Sequence, residues 1–166
     1  MTEFAIAGRP IGPGHPPYVI AEIGVNHDGS RDRCLELIDA AAACGADAVK
    51  LQFFRAELLM SRAATLAAYQ AGAGETDPAG MLRRLELHAE DLPAYTARAH
   101  DRGVHAIVTV FTTELVPLAE RAGFDAFKSA SPDVVHRPLL ERLAAANRPL
   151  IVSTGAATMG EVERAA

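Results

Sequence analysis

Side chains that could take part in chemistry recur at the ends of apolar segments in this sequence. They are one carboxylate, two lysines, one amide and two hydroxyls: Glu22, Lys50, Gln52, Thr109, Lys128 and Ser153. Glu22 stands out because it interrupts an apolar segment, where an unpaired carboxylate would be costly or would become protonated. We therefore predict that Glu22 is an acid–base residue or the partner of a lysine.

The lysines and hydroxyls are suitable ligands for a phosphate or a carboxylate. Lys50 and Lys128 end two similar segments, 45–50 and 123–128, and this similarity predicts the same height on their strands. Together with a helix N-terminus after Ser153–Gly155, they would form a cradle for a small anion. The alternatives are structural. A lysine at a strand end can extend into solvent, Thr109 can be present because threonine favours strands, and Ser153 can be an ordinary turn residue.

Three further residues are weaker candidates. Asn26 and His27 follow Glu22 directly, and they could act in the site or only shape a turn. Tyr69 lies in the irregular segment 55–80, whose length is typical of functional or mobile loops.

The elements that must position these residues alternate along the chain. Apolar strands are predicted at about 18–24, 45–52, 104–110, 124–129 and 148–153, with helices between them. This order is typical of a parallel α/β sheet, whose sites lie at the C-terminal ends of its strands. The sheet is either an open doubly wound one or the first five units of an eight-stranded barrel, which needs about 250 residues. Residues 1–17 are predicted to form an N-terminal hairpin or arm, and residues 18–166 the partial barrel.

Composition limits the classes of function. The chain has 166 residues, of which 49% are hydrophobic and 22% charged, and its net charge is -5. We expect a soluble cytoplasmic protein of one domain, without a signal peptide, a membrane span or a nucleic-acid-binding face. Cys34 and Cys44 fall in one predicted helix without metal or disulfide spacing, so we interpret both as packing residues. A capping box at Thr158 opens a helix a few residues before the last position, which suggests the front part of a longer protein.

Several sequence blocks resemble the sialic acid synthase family, the phosphoenolpyruvate-dependent enzymes that make N-acetylneuraminate and related nine-carbon sugars. The blocks are Ala21–Gly29, Ala40–Gln52, Thr109–Phe111, Phe127–Ser131, Pro138–Leu140 and Pro149–Gly155. The resemblance implies a TIM barrel that condenses phosphoenolpyruvate with the open-chain aldehyde of an N-acetylated hexosamine and releases phosphate by C–O cleavage.

The resemblance also implies roles for individual residues. Five of them fall where the family contacts phosphoenolpyruvate: Lys50, Thr109, Lys128, Ser131 and Ser153. Glu22 and Asp133 fall on its two acidic, catalytic positions. A divalent metal, Mn or Mg, is implied as the group that polarises the aldehyde, but its two histidine ligands lie on later strands that this chain does not encode. A C-terminal antifreeze-like domain, also absent here, supplies an arginine from a dimer partner, so we expect a homodimer or pairing with a C-terminal half.

Two departures from the family pattern leave other functions open. The chain has Val108-Thr-Val-Phe111 where the family has Ser-Thr-Pro-Phe, and Ser131-Pro-Asp133 where the family has Ser-Gly-Glu. One alternative is a non-catalytic half-barrel for binding or assembly, because open sheet edges invite pairing. Another is a phosphate-binding barrel aldolase with Lys50 or Lys128 as a Schiff base. Our leading prediction is the synthase, with this chain inactive on its own.

Overall fold

The computed structural model describes residues 4–59 and 77–166 as an α/β fold. Its strands are β1 Phe4–Ile6, β2 Arg9–Ile11, β3 Ile20–Gly24, β4 Ala48–Phe53, β5 His105–Val110, β6 Ala126–Lys128 and β7 Leu150–Ile151. Its helices are α1 Arg31–Ala43, α2 Ala56–Leu59, α3 Pro78–Arg84, α4 Leu92–Asp101, α5 Val116–Ala122, α6 Arg137–Ala144 and α7 Met159–Ala165. Two short 3-10 helices cover Thr113–Leu115 and Ser131–Val135.

The strand order identifies the architecture. Strands β3 to β7 form one sheet in sequential order, and each neighbouring pair is parallel. A doubly wound sheet would reverse its strand order at a switch point, whereas a barrel adds its strands one after another. The predicted incomplete TIM-type barrel is therefore confirmed, and the doubly wound alternative is excluded. Within the described residues, β3 and β7 are the edge strands.

Side-chain alternation gives the sheet two buried faces. The outer face carries large apolar residues such as Val49, Leu51 and Phe53, which pack against the surrounding helices in the main core. The inner face carries a smaller apolar cluster in which Ala48 and Ile107 are fully buried. The outer face of the sheet is therefore apolar along the whole strand, whereas the inner face is apolar at one end of the strand and polar at the other.

The predicted N-terminal hairpin is present and closes the inner cluster. Strands β1 and β2 pair antiparallel, and Ile6 from β1 is fully buried in the inner cluster. The hairpin is fastened to the barrel by an ion pair between Arg9 and Asp47, which lies just before β4. Asp47 also accepts the Val19 N–H at 2.7 Å, so one carboxylate connects the hairpin, β3 and β4.

Local signals for helix ends are reproduced. The Ser30 hydroxyl accepts the Arg33 N–H and begins α1, and Gly45 follows the helix with a positive φ of 82°. Cys34 is fully buried in α1, whereas Cys44 is exposed at its C-terminal end. The packing interpretation is therefore right for Cys34 and wrong for Cys44.

The segment 55–80 is described only at its ends, by α2 and the start of α3. Residues 60–76, including the candidate Tyr69, lie outside the described part of the chain. Of the helices that the structure does describe, none has the length and apolar character that a bilayer span requires.

Candidate active site

Lys50 is the centre of the candidate site. It lies on the inner face of β4, it is 4% exposed, and its Nζ is 2.7 Å from Glu22 Oε2. The same amine donates a hydrogen bond of 3.0 Å to Thr109 Oγ1 on β5. Glu22 is the register partner of Lys50 on β3. Three consecutive strands thus each contribute one polar side chain to a single cluster, in which Lys50 and Thr109 are buried.

The Glu22 carboxylate lies on the solvent-facing side of this cluster. The Glu22 side chain is 52% exposed, whereas that of Lys50 is only 6% exposed. The parallel register shifts between Glu22 and Gly24, where the backbone turns to a φ of +55°. A Cβ atom at Gly24 would lie 3.1 Å from Glu22 Oε1 and 3.6 Å from Gln52 Nε2. Gly24 therefore leaves the space that the Glu22 carboxylate and the Gln52 amide occupy.

Lys128 brings a second amine into the same hollow. It is the register partner of Thr109, which in turn lies opposite Gln52, so Lys128 is one inward position beyond Lys50. The two lysines are therefore not equivalent in the hydrogen-bond ladder, although stagger between neighbouring barrel strands can still bring them to one layer. Burial lowers the pKa of Lys128, the nearby Lys50 charge lowers that pKa further, and the Glu22 carboxylate opposes both effects.

No other lysine occurs in the chain. The complete sequence has 16 lysine and arginine residues, of which Lys50 and Lys128 are the only lysines. Every ion pair that a side-chain cation makes elsewhere in the described residues therefore uses arginine or histidine, as in the bridge from Arg98 to Asp39. The compact, titratable ammonium group is confined to the candidate site.

Two predicted hydroxyls meet at the ends of the last two strands. Ser131 Oγ and Ser153 Oγ are 2.8 Å apart, and the Ser153 N–H donates to Ser129 Oγ at 3.1 Å. A Cβ atom at Gly155 would lie 2.7 Å from Ser131 Oγ, so only glycine fits there without displacing the hydroxyl. The helix that follows starts at Met159, capped by Thr158. The helix N-terminus predicted after Ser153–Gly155 is therefore present, at Met159, and its part in an anion cradle stays a prediction.

Asp133 occupies a different environment from Glu22. It lies in the 3-10 helix after β6, and its Oδ2 atom is buried with no hydrogen-bond partner among the described residues. Burial raises the pKa of Asp133, and the Ala130 backbone and His136 only partly oppose this shift. The described contacts do not join Asp133 to the cluster around Lys50, so the structure brings one of the two predicted acidic residues to that cluster.

Asn26 and His27 hold the turn between β3 and α1. The Asn26 amide donates to the Ile23 carbonyl at 2.9 Å, and His27 Nδ1 accepts the Gly29 N–H at 3.0 Å. His27 is fully buried, and burial lowers its pKa against the opposing effects of the Gly24 backbone and Asp28. These contacts favour the turn interpretation for Asn26, whereas His27 Nε2 is buried with no hydrogen-bond partner among the described residues.

The divalent metal implied by the resemblance finds no group of three candidate ligands among the described residues. Across residues 4–59 and 77–166, no three histidine, cysteine, aspartate or glutamate side chains lie close enough together to hold a metal ion. Zinc sites draw three or four protein ligands from these residue types, whereas Mg²⁺ keeps several waters and often uses only one or two carboxylates. The described residues therefore lack a cluster of three such ligands, and the implied divalent metal stays a prediction.

Two residues of this region escaped the sequence analysis. Ser129 is fully buried and bonded to Ser153, and Gly155 makes room for Ser131. Alternation along the strand assigns Ser129 to the face opposite Lys128. The sequence pattern therefore gave no reason to include Ser129 among the site residues. The short spacing of serines in Lys-Ser-Ala-Ser was the available signal.

Comparison with known proteins places the chain in a family. The NeuB family profile matches residues 37–166. The spore coat polysaccharide biosynthesis protein SpsE of Bacillus subtilis is 36% identical over 166 residues, covering 99% of this chain and 44% of SpsE. The N,N'-diacetyllegionaminic acid synthase of Campylobacter jejuni is 36% identical over 149 residues, covering 89% of this chain and 45% of the synthase.

A solved structure gives the same result at the level of the fold. The N-acetylneuraminic acid (sialic acid) synthetase of Leptospira borgpetersenii, crystallised in complex with citrate, superposes with a TM-score of 0.85 at 26% identity. The alignment covers 98% of this chain and 53% of that one. The chain thus spans about half the length of the relatives it matches. Because the family profile matches most of its length, this chain belongs to the NeuB family.

Proposed function

We propose that this chain contributes the phosphoenolpyruvate-binding part of a synthase active site. In the proposed reaction, phosphoenolpyruvate condenses with the open-chain aldehyde of an N-acetylated hexosamine to give a nonulosonic acid and inorganic phosphate. The observation that carries the proposal is the buried Lys50 amine, held between Glu22 and Thr109 with Lys128 in the same hollow. Family membership and the names of the related synthases support the reaction class.

The charge balance of the hollow suits a multiply charged anion. Two ammonium groups face one carboxylate there, and phosphoenolpyruvate carries both a carboxylate and a phosphate. Hydrogen bonds between charged partners are shorter and stronger than neutral ones. Lys50 is already desolvated and fixed by two partners, so an entering anion would meet a preorganised donor.

The hydroxyls extend this donor set around the ligand. Thr109 lies beside the Lys50 amine, and the Ser131–Ser153 pair lies at the ends of the neighbouring strands. Each hydroxyl can rotate its hydrogen toward an acceptor oxygen. In the proposal, the lysines neutralise the ligand and the hydroxyls fix its orientation.

The reaction follows from where protons must move. The enol carbon of phosphoenolpyruvate attacks the aldehyde carbon, a C–C bond forms, and the aldehyde oxygen takes up a proton. Water then adds to the cationic carbon that bears the phosphate and loses a proton. The C–O bond to phosphate then breaks while the new hydroxyl passes its proton to the departing phosphate, which leaves a ketone and inorganic phosphate. Glu22 is the group we assign to these proton transfers, because its half-exposed carboxylate faces both solvent and Lys50.

The metal ion implied by the resemblance stays outside this scheme. Its ligands are not assembled among the described residues, so no step is assigned to it. Asp133 stays a predicted acidic residue of the site.

A phosphate-release assay tests the proposal. The intact protein is supplied with phosphoenolpyruvate, N-acetylmannosamine and manganese, and phosphate is measured with and without the sugar. We expect release that requires both substrates, is strongly reduced in Glu22→Gln, and is unchanged in Arg137→Gln, a surface control whose side chain is 85% exposed. The 166-residue chain assayed alone should bind phosphoenolpyruvate weakly and release no phosphate. Sugar-independent release, or Glu22→Gln activity equal to the control, would contradict the proposal.

A Schiff-base aldolase is the second candidate, and the lowered pKa of Lys128 favours it. An amine that loses its proton more readily is a better nucleophile toward a carbonyl. Borohydride reduction in the presence of pyruvate, followed by mass spectrometry, tests this function. A reduced adduct on Lys128 that is absent from Lys128→Met would support the aldolase, and the lack of any adduct would exclude it.

A further inference from the structure

The hydrogen-bond ladder between β6 and β7 changes its pattern at Ser129. The Phe127 N–H donates to the Pro149 carbonyl at 2.9 Å, and the Ser129 N–H donates to the Ile151 carbonyl at 3.0 Å. In a parallel ladder, evenly spaced bonds alternate between the two strands. The next bond should therefore run from the Ser153 N–H to the Ser129 carbonyl.

The structure gives that N–H to a side chain instead. The Ser153 N–H donates to Ser129 Oγ at 3.1 Å, and the Ser129 carbonyl accepts a hydrogen bond of 3.1 Å from Lys128 Nζ. Ser129 is fully buried, so water cannot replace either partner. The hydroxyl thus takes the place of the carbonyl in the ladder, and the carbonyl becomes available to the ammonium group.

We propose that Ser129 is a positioning residue that sets the orientation of both the Lys128 amine and the Ser153 hydroxyl. Its side chain ties down the backbone of Ser153, whose hydroxyl pairs with Ser131 at 2.8 Å. Its carbonyl directs the Lys128 amine along the strand end. Ser129 itself touches no substrate in this scheme. The consequence for ligand binding rests on the proposed function, whereas the orientation of Lys128 does not.

Removing the hydroxyl should restore the ordinary ladder. In Ser129→Ala, the Ser153 N–H can donate to the carbonyl of residue 129. The Ser153 N–H then competes with the Lys128 amine for that carbonyl. An ammonium group that loses a carbonyl acceptor holds its proton less firmly. The Lys128 amine should therefore titrate at a lower pH in the variant than in the unaltered protein.

The lysine content of the chain makes this measurable. Selective 15N-lysine labelling of the 166-residue chain should give only two side-chain signals, from Lys50 and Lys128, because this sequence has no other lysine. The variants are Ser129→Ala, Ser129→Cys, whose thiol is a weak acceptor of similar size, and Ser129→Thr, which keeps the hydroxyl. The matched control is Thr96→Val on α4. This variant removes another buried hydroxyl, which donates a hydrogen bond of 2.6 Å to the Ala122 carbonyl. That hydrogen bond lies away from the candidate site.

We expect the Lys128 titration to move to lower pH in Ser129→Ala and Ser129→Cys, and to stay in place in Ser129→Thr and Thr96→Val. The dissociation constant for phosphoenolpyruvate should rise on the order of tenfold in the first two variants, the effect of one hydrogen bond to a charged group. An unchanged Lys128 titration in both Ser129→Ala and Ser129→Cys would overturn the positioning role. A shifted titration in a protein that does not bind phosphoenolpyruvate would support that role and overturn the proposed function instead.

Discussion

The inside of this barrel has two layers that differ in chemistry although they share the same strands. Both layers use the same face of β3 to β6, and their residues lie two positions apart. The deeper layer contains Ile20, Ala48, Ile107 and Ala126, and the layer above it contains Glu22, Lys50, Thr109 and Lys128. The deeper layer is covered by Ile6 of the hairpin, whereas the upper layer is open at Glu22.

This difference separates the source of stability from the source of function. Burial of apolar surface in the deeper layer favours the folded state. An ion pair such as Lys50–Glu22, in which only the lysine is buried, contributes little net stability, because desolvation of the amine offsets the attraction. Substitutions in the deeper layer should therefore affect folding and leave the site intact, and those in the upper layer should do the reverse.

The largest effect on stability is expected from the deeper layer. Ile107→Ala should lower the free energy of unfolding by about 2–5 kcal/mol, because Ile107 is fully buried and leaves a cavity. Urea denaturation measures this change, with Ile107→Val as a milder comparison at about 0.5–1.5 kcal/mol. The folded fraction should still bind phosphoenolpyruvate normally. Loss of binding in protein that remains folded would break the separation between the layers.

The largest effect on binding is expected from the upper layer. Lys50→Met should raise the dissociation constant for phosphoenolpyruvate about 10–100-fold, because a charge-assisted donor is lost. The free energy of unfolding should stay the same or rise, since methionine fills the buried position without a desolvated charge. Calorimetric titration and urea denaturation of the same samples measure both quantities. A variant with wild-type affinity would contradict the assigned role.

The pH dependence of binding should be smaller but diagnostic. The pKa of Lys128 lies below the ordinary lysine value of 10.5, chiefly because burial disfavours its charge. Affinity for phosphoenolpyruvate should therefore fall as the pH rises through this lowered pKa, before unperturbed lysines titrate. The unfolded chain binds the proton up to 10.5, so the stability of the fold should rise between the two pKa values. Lys128→Arg, which keeps its charge, should remove both dependences.

The smallest effect is expected at Asp133, outside the lysine cluster. Because burial raises its pKa above the ordinary 3.8, Asp133 stabilises the fold at pH values below 3.8, and this contribution is lost as the pH rises through the raised pKa. Asp133→Asn should therefore be at least as stable as the unaltered protein at neutral pH. Its melting temperature should also vary less with pH across this window. A variant less stable than the unaltered protein at neutral pH would show that the carboxylate has a partner in solution.

The periodic features of the fold were predictable from the sequence. Alternation along each strand predicted that Lys50 on β4 and Thr109 on β5 point into the same barrel mouth, and the structure joins them by a hydrogen bond. The caps at Ser30 and Thr158 were readable because they are local interactions between residues three positions apart.

Features that depend on several strands were not predictable. The repeated segments made Lys50 and Lys128 look equivalent, but the ladder register, which no single segment encodes, places Lys128 one inward position further. The role of Ser129 depends on a residue of the next unit, because its hydroxyl accepts the N–H of Ser153, just beyond the end of β7.

One titration tests the central claim, that consecutive strand ends form a single anion site. Phosphoenolpyruvate is added to the 15N-lysine-labelled 166-residue chain while the two amine signals are followed. We predict that both signals shift with one common dissociation constant, and that the Lys128 signal responds only weakly in Lys50→Met. Signals that saturate at different concentrations, or a Lys128 signal that does not respond at all, would contradict a shared site.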